Sequence, residues 1–140
     1  LEHLLSIGSG IRHTADELDQ ALIASGLQKD AIKRRASTYS KGMRQKVGLA
    51  LALTRKSTVL LLDEPTSGLD PKSAAEFSES LKSTADKGVG VFMATHDIWR
   101  AREVANKILV MTNGRIATEL DPVHLSADEI EQRFFLEVDA

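Results

Sequence analysis

Two carboxylates follow a run of apolar residues near the middle of the chain. Residues 59–62 are Val-Leu-Leu-Leu, and Asp63 and Glu64 come directly after them. Four bulky apolar residues in succession favour a strand of a parallel sheet that is buried on both faces. Pro65 cannot continue the strand ladder, so the strand is expected to end at the two acids. The carboxyl ends of such strands are where open α/β sheets bind their ligands.

The two acids suit different tasks. A carboxylate at a strand end can hold Mg²⁺ through water, and Asp63 is the candidate for this role. Glu64 must point to the other side of the strand, where it can act as general base toward an attacking water. The simpler alternatives are that Asp63 caps the following turn and that Glu64 is a solvated acid.

A histidine follows the next apolar run. Residues 89–94 read as a second strand, and His96 comes two residues later. Neighbouring parallel strands present their carboxyl ends to one crevice, where an imidazole can hydrogen-bond a phosphate or hold a water. A structural histidine is the alternative.

Ser40 and Gly42 open a predicted helix that runs to about Leu53. A helix N-terminus offers free amides and a positive dipole, and glycine lets a phosphate come close. An ordinary N-cap is the alternative for Ser40. The basic residues around this start are interpreted as a solvated helical face, because no aromatic residues alternate with them as in a nucleic-acid site; they are Lys33, Arg34, Arg35, Lys41, Arg44 and Lys46.

Local signals place the elements around these residues. Capping boxes at residues 14–17 and 126–129 begin helices, and Gly26 suits the end of the first. A short helix near Asp30 is expected to carry the basic residues 33–35. Asp70-Pro71 begins another helix, to about Ala85, which is expected to bury Ala74, Ala75, Phe77 and Leu81.

Asn113-Gly114, between residues 107–111 and 115–120, predicts a β-hairpin. Tyr39 and Trp99 are interpreted as packing residues. Two strand-then-helix units in succession predict an α/β fold with a parallel sheet.

Composition narrows the class of protein. The 140 residues suit one domain or a large piece of one, and a net charge of −2 gives no argument for nucleic acid or anionic membrane. The absence of cysteine excludes disulfides and fits a reducing cytosol. No apolar run has the length of a membrane span, and the first ten residues do not form a signal peptide. Gly8 and Gly10 are expected to break any helix there, and the start at Leu1 suggests a piece of a longer protein.

In order and spacing, these motifs resemble the ATPase domain of ABC transporters. Tyr39-Ser-Lys-Gly-Met43 resembles the signature motif, residues 58–63 the Walker B strand, and Glu64 the catalytic glutamate. Ser67-Gly-Leu-Asp70 resembles the D-loop and His96 the switch histidine. Lys41 and Met43 replace a glycine and a glutamine of the usual signature, a form that is similar to ATPases of ABC-2-type exporters. The segment Ile130-Glu-Gln-Arg-Phe134 resembles the end of the ATPases of that group, where acidic residues are followed by phenylalanine.

The resemblance implies a P-loop NTPase-like core with a parallel sheet and an α-helical subdomain. Residues 1–54 would form the helical subdomain, and residues 55–140 the C-terminal part of the core. The implied ligands are ATP and Mg²⁺. Asp63 would bind the metal, and Glu64 and His96 would be catalytic. The cofactor-binding residues would be those of the signature and the D-loop; these are Ser40, Lys41, Gly42, Met43 and Asp70. Ser40 and Gly42 would contact the γ-phosphate of a partner's ATP, and Asp70 would link the two sites across the dimer.

The resemblance also implies partners and a place of work. A second ATPase protomer would complete each site. Transmembrane permease subunits, contacted at the cytoplasmic face of the cell membrane, would receive the closure of the ATPase dimer. No nucleic acid is expected as a partner. The sequence contains no Gly-rich loop ending in Gly-Lys-Ser/Thr, and the resemblance implies that it starts after the family's Q-loop. The 140 residues alone are therefore predicted to be inactive. A non-transport ABC ATPase and a non-catalytic interaction module are the alternatives.

Overall fold

The structure, a computed structural model, describes residues 13–138, which form two compact units divided after Ala94. In the first unit the elements are α1 (Ala15–Ala24), α2 (Lys29–Ile32), a 3₁₀ turn (Ala36–Thr38), α3 (Lys41–Thr54), β1 (Val59–Asp63), α4 (Pro71–Ala85) and β2 (Gly90–Ala94). In the second they are α5 (Ile98–Val104), β3 (Ile108–Thr112), β4 (Arg115–Leu120) and α6 (Ala127–Val138). The expectation for Gly8 and Gly10 lies outside the described residues.

The first helix begins and ends at the predicted signals. At the start of α1, the Glu17 amide donates to the Thr14 hydroxyl at 3.3 Å, and the Thr14 amide donates to the Glu17 carboxylate at 2.8 Å. These two bonds form the predicted capping box. Gly26 follows the end of α1 with φ +84°, the left-handed conformation that glycine accepts without strain. The helix near Asp30 ends at Ile32, so the prediction that it carries residues 33–35 is wrong.

Helix α3 contributes to two hydrophobic clusters. The helical cluster contains Ala50 with buried residues of the preceding helices and turns; these are Leu18, Leu22, Leu27, Ala31 and Tyr39. The sheet cluster contains the adjacent Leu49 together with Leu60, Phe77 and Leu81. Tyr39 is confirmed as a packing residue, and its hydroxyl donates to the carbonyl of Ala31 at 2.8 Å. The helical cluster is what the predicted subdomain boundary near residue 54 requires, but that boundary remains a prediction.

Strands β1 and β2 pair in parallel, from Val59 opposite Gly90 to Asp63 opposite Ala94. Leu60 faces the sheet cluster, whereas Leu61 is 77% exposed and Phe92, opposite it, is 55% exposed. The described residues therefore cover one face of the pair, and the prediction that β1 is buried on both faces does not hold within them. The same helical side of the sheet receives Ala74, Phe77 and Leu81 of α4, as predicted, while Ala75 points outward and is exposed.

A buried cation joins α3 to α4. Lys46 is 6% exposed, and its Nζ atom lies 2.7 Å from Oε2 of Glu76. A Cβ atom on Gly26 would lie 2.4 Å from the hydroxyl of Ser80, so the end of α1 also packs closely on α4. The interpretation of Lys46 as part of a solvated basic face is wrong, because a carboxylate on a neighbouring helix compensates its burial.

The second unit contains a hairpin and two helices. Asn113 and Gly114 have φ of +48° and +74° between β3 and β4, as expected for the predicted hairpin turn. A register irregularity follows Val110, and Val110, Leu120 and Ile130 form the cluster under α6. The Ser126–Glu129 capping box is confirmed at the start of α6. Trp99 is 66% exposed, so its interpretation as a packing residue is wrong.

The mixed helix and strand content and the parallel β1–β2 pair confirm the predicted α/β fold class. No helix between residues 13 and 138 combines the length and hydropathy that a bilayer crossing requires.

The Lys46–Glu76 pair predicts a pH-dependent contribution to stability. The hydrogen bond from Lys46, and then its charge, lower the pKa of the Glu76 carboxyl. Such a group stabilises the fold above its unfolded-state pKa of about 4.3, and the contribution is lost as the pH falls through the lower folded-state value. We expect Lys46→Met to reduce the free energy of unfolding by about 1 kcal/mol near neutral pH, with the difference from wild type shrinking in acid.

Urea denaturation of both proteins across this pH range measures the difference. The exposed Lys87 provides the control variant Lys87→Met, which should change neither the stability nor its pH profile. A difference that stays constant with pH would contradict the role assigned to Glu76.

Candidate functional site

Asp63 and Glu64 lie at the carboxyl end of the parallel pair, where β1 and β2 both end. Asp63 is opposite Ala94, the last residue of β2. The Glu64 amide donates to the carbonyl of Ala94 at 2.9 Å, so backbone pairing extends one residue past β1. Asp63 is exposed and Glu64 half-buried. The strand-end position predicted for both acids is therefore what the structure has.

The backbone of Glu64 is left-handed, with φ +43°. This conformation costs a residue with a side chain on the order of 1 kcal/mol or more. It occurs where the chain must leave the sheet at once, because the next residue is a proline that cannot join the ladder. Pro65 and Thr66, the two residues that follow Glu64, are buried. The backbone of Glu64 is therefore strained at this turn.

Residues 64–70 form a compact loop, here called the 64–70 loop. The Ser67 amide donates to the carbonyl of Glu64 at 3.1 Å, and the Leu69 amide donates to that of Thr66 at 3.2 Å. Gly68 is left-handed, with φ +66°. The loop therefore consists of two short turns, and the first of them returns directly to Glu64.

The 64–70 loop ends at Asp70, which is the N-cap of α4. Its Oδ1 atom accepts from the Ser73 amide at 3.0 Å, and Pro71 occupies the first helical position. Hydrogen bonds from the hydroxyl and the amide of Ser73 lower the pKa of the Asp70 carboxyl. Asp70 is exposed as well, so a charged oxygen of this cap faces solvent.

The first turn of α3 packs against the start of α4. The Ser40 hydroxyl accepts from the Met43 amide at 3.2 Å, which makes it the predicted N-cap. Gly42 is buried, and a Cβ atom there would lie 3.3 Å from Cβ of Ser73 and 3.6 Å from Cδ2 of Leu69. Close packing against α4 is therefore one reason for a glycine here. Met43 is half-buried and packs against the helical cluster.

Lys41 reaches from the first turn of α3 to the 64–70 loop. Its Nζ atom donates to the carbonyl oxygen of Ser67. A Cβ atom on Gly68 would lie 3.0 Å from the same Nζ atom. The side chain of Lys41 therefore lies over the glycine of the loop, and the two segments that the sequence analysis treated separately are joined here.

His96 is exposed and belongs to the second unit, two residues past the end of β2. Beside it, the Asp97 amide donates to the hydroxyl of Thr95 at 3.1 Å, and Asp97 caps α5. Asp63 directly precedes the 64–70 loop, Glu64 begins it and Asp70 ends it, while Lys41 contacts this loop and Gly42 packs against the start of α4. Ser40 is the N-cap directly before Lys41. That His96 joins these residues remains a prediction.

The residues present fit a phosphate and a magnesium ion. The first amides of α3 have no partner within the helix, and its first turn holds two cations and no acid, so an anion is favoured there. Between residues 13 and 138, no cluster of three or more His, Cys, Asp or Glu side chains could hold a metal by itself. A single exposed carboxylate such as Asp63 instead suits Mg²⁺, which keeps water and phosphate ligands.

Two features of the site were missed by the sequence analysis. The Lys41–Ser67 contact joins residues 26 apart, and the Lys46–Glu76 pair joins residues 30 apart. Neither pair has a helical or strand periodicity that could predict it. For the Lys41–Ser67 contact the available signal was the two cations, Lys41 and Arg44, in a first helical turn without an acid, which is electrostatically unfavourable unless another group compensates them.

Comparison with known proteins gives a family. A family model described as "AAA domain, putative AbiEii toxin, Type IV TA system" matches residues 3–98. The chain is also 37% identical over 129 residues to the phosphate import ATP-binding protein PstB 2 of Natronomonas pharaonis. That alignment covers 91% of this chain and 45% of the relative.

Two solved structures share the fold. The cbiO1 protein from Clostridium perfringens, described as part of the ABC transporter complex cbiONQ, has a TM-score of 0.76 and 27% identity, covering 94% of this chain and 55% of that one. A dimeric ATP-binding cassette, MJ0796, in a post-hydrolysis state with ADP and Pi, has a TM-score of 0.68 and 25% identity. It is covered to 54%, against 86% of this chain. The chain thus spans about half the length of the relatives it matches.

The left-handed backbone of Glu64 predicts a difference between two substitutions. Glu64→Gly and Glu64→Ala both remove the carboxylate, but only alanine keeps the strain of a Cβ atom at positive φ. We expect the glycine variant to be more stable by about 1 kcal/mol. Chemical denaturation of the two variants measures this difference directly. An alanine variant at least as stable as the glycine variant would show that position 64 is not strained.

Proposed function

Because this chain belongs to the AAA-domain family whose model it matches and to the ATP-binding domains of ABC transporters, we propose that the protein hydrolyses ATP to drive a membrane transporter. The relatives on which the family rests are about twice as long as this chain, so the activity proposed is that of the full-length protein.

One observation carries the proposal. A single loop leads from the strand-end acids Asp63 and Glu64 to Asp70, and it lies against the first turn of α3. Carboxylates suited to a metal and a water thereby lie at one end of a loop that also contacts a helix N-terminus suited to the phosphate of a second protomer. Phosphoryl transfer depends almost entirely on positioning and on electrostatic stabilisation, and each of these two groups can supply part of it to a different nucleotide.

Three residues would act on the nucleotide bound by their own protomer. The Asp63 carboxylate would hold the Mg²⁺ through water, and the ion, when bound, supplies charge neutralisation of the phosphates. Glu64 would take the proton of the attacking water, and its backbone hydrogen bonds with Ala94 and Ser67 support a constant position at the end of β1. His96 would donate a hydrogen bond to the γ-phosphate.

Five residues would serve the nucleotide of a second protomer. The Ser40 hydroxyl and the first free amides of α3, those of Lys41 and Gly42, would donate to the γ-phosphate oxygens. Met43 anchors this turn in the helical cluster. Asp70, exposed at the end of the 64–70 loop, would contact the partner and so connect the two sites. The dimeric ATP-binding cassette among the structural relatives supports a two-protomer arrangement.

The remaining partners follow from the transporter role. The helical subdomain, residues 1–54, would contact transmembrane permease subunits and pass on the closure of the dimer. The protein would therefore work at the cytoplasmic face of the cell membrane. We further propose that it drives export, because Tyr39-Ser-Lys-Gly-Met43 has the form of the ABC-2-type signature.

The proposed base gives the first test. In the full-length protein, Glu64→Gln should lower kcat for ATP hydrolysis by about 10²- to 10⁴-fold, because the amide cannot accept the proton of the water. ATP binding should persist, so the variant is expected to accumulate as an ATP-bound dimer. Phosphate release and size-exclusion chromatography with ATP measure the two effects.

Two further proteins complete this test. Glu79→Gln changes an exposed glutamate of α4 and should hydrolyse ATP like the wild type. The 140-residue chain alone should show no hydrolysis, because its sequence has no Gly-rich phosphate loop. Undiminished hydrolysis in Glu64→Gln would refute its role as base, and turnover by the isolated chain would refute the need for that loop.

The direction of transport can be tested with the solute named for one relative. In membrane vesicles that carry the full-length protein and its permease with the ATPase outside, and whose lumen is loaded with radiolabelled phosphate, an importer of phosphate would release the label when ATP is added. We expect no ATP-dependent release. Release that is abolished by Glu64→Gln would establish import and contradict the proposed export.

A further inference from the structure

Lys41 occupies a position in α3 that helix stability does not explain. It is the first residue of the helix, where the positive end of the helix dipole disfavours a cation. Arg44 adds a second cation to the same turn, and none of the residues in that turn is acidic. Some other interaction must therefore account for a lysine at this position.

We propose that Lys41 is a positioning residue that fixes the 64–70 loop, and through it Glu64, relative to the first turn of α3. The inference rests on the proposed function, because it concerns the geometry of that same site. Its substance is that Lys41 acts within its own protomer, on the loop, in addition to any contact that the α3 amides make with a phosphate.

The contact itself is the first support. The Nζ atom of Lys41 donates to the carbonyl oxygen of Ser67 and lies over Gly68, whose lack of a side chain leaves room for it. A Cβ atom at Gly68 would approach Nζ to 3.0 Å, and the φ of +66° already favours glycine there. The absence of a side chain at Gly68 therefore leaves the space that the ammonium group occupies.

A backbone hydrogen bond connects Ser67 to Glu64. The carbonyl of Ser67 accepts from Lys41, and the amide of Ser67 donates to the carbonyl of Glu64 at 3.1 Å. Glu64 is in turn attached to β2 through the carbonyl of Ala94 at 2.9 Å. Lys41, Ser67, Glu64 and β2 thus form a continuous series of hydrogen bonds from the first turn of α3 to the sheet.

Other contacts hold α3 against α4, so this role is separable from folding. Lys46 pairs with Glu76 at 2.7 Å, and Gly42 packs against Ser73. Lys41 is exposed, and neither of these contacts involves its side chain. Removing the ammonium group should therefore loosen the 64–70 loop and leave the packing of the two helices intact.

The test uses the full-length protein and three variants. Lys41→Met removes the donor and keeps an unbranched side chain, whereas Lys41→Arg keeps a cationic donor. Lys29→Met is the matched control, because Lys29 is likewise an exposed lysine at the first position of a helix. ATP hydrolysis gives kcat and KM, and hydrogen exchange reports on the amides of Ser67 and Leu69.

We expect Lys41→Met to lower kcat by about tenfold with little change in KM, because a misplaced base slows the chemical step more than binding. Exchange at Ser67 and Leu69 should become faster. Lys41→Arg should have a kcat within about twofold of wild type, and Lys29→Met should have the wild-type kcat. Both variants keep a cationic donor at position 41 for the carbonyl of Ser67.

Two results would overturn the proposal. Unchanged kcat and unchanged exchange in Lys41→Met would show that the contact does not position the loop. A raised KM with kcat and loop exchange preserved would show that Lys41 acts on the nucleotide instead. Failure of the proposed function is distinguishable from both, since it would appear as undiminished hydrolysis in Glu64→Gln, whereas loop exchange in Lys41→Met is measured without turnover.

Discussion

The rotation of helix α3 about its own axis is the constraint on which the first unit depends. Ala50 is fully buried in the helical cluster, and the adjacent Leu49 lies in the sheet cluster. Lys46, on the preceding turn, must meet a carboxylate of α4 because it is buried. Successive residues are about 100° apart around a helix, so these three side chains allow α3 one orientation. That orientation also determines where Ser40 and Gly42, at the other end of the helix, present their donors.

Where a signal is local, the sequence was enough to predict the structure. The capping boxes, the Asp70-Pro71 helix start and the Asn113-Gly114 turn depend on residues within four positions of one another, and each forms as expected. The strand-end position of Asp63 and Glu64 followed from an apolar run that a proline ends. These signals were sufficient for the fold class and for the acids of the site.

Properties that depend on the neighbours of an element were not predictable in this way. Trp99 and Ala75 have residue types that are common in a core, yet both are exposed. The sequence does not show what packs against a given face of a helix, so this exposure was not predictable. Lys46 has a residue type that is common on the surface, yet it is buried against the carboxylate of Glu76. Because that partner is 30 residues away in the sequence, the burial was not predictable. The contact between Lys41 and the 64–70 loop has the same origin, so the sequence predicted two separate motifs where the structure has one connected region.

Asp70 illustrates how one side chain can carry two separable constraints. As the cap of α4 it needs only an oxygen that accepts from the Ser73 amide, and asparagine or serine could provide that oxygen equally well. The capping hydrogen bond alone therefore does not require an aspartate at this position. A negative charge at position 70 adds to the cap, because it lies at the positive end of the α4 dipole and because the hydrogen bonds from Ser73 lower the pKa of its carboxyl. An asparagine at position 70 would keep the first contribution and lose the second, so helix capping and charge are separable at this one residue.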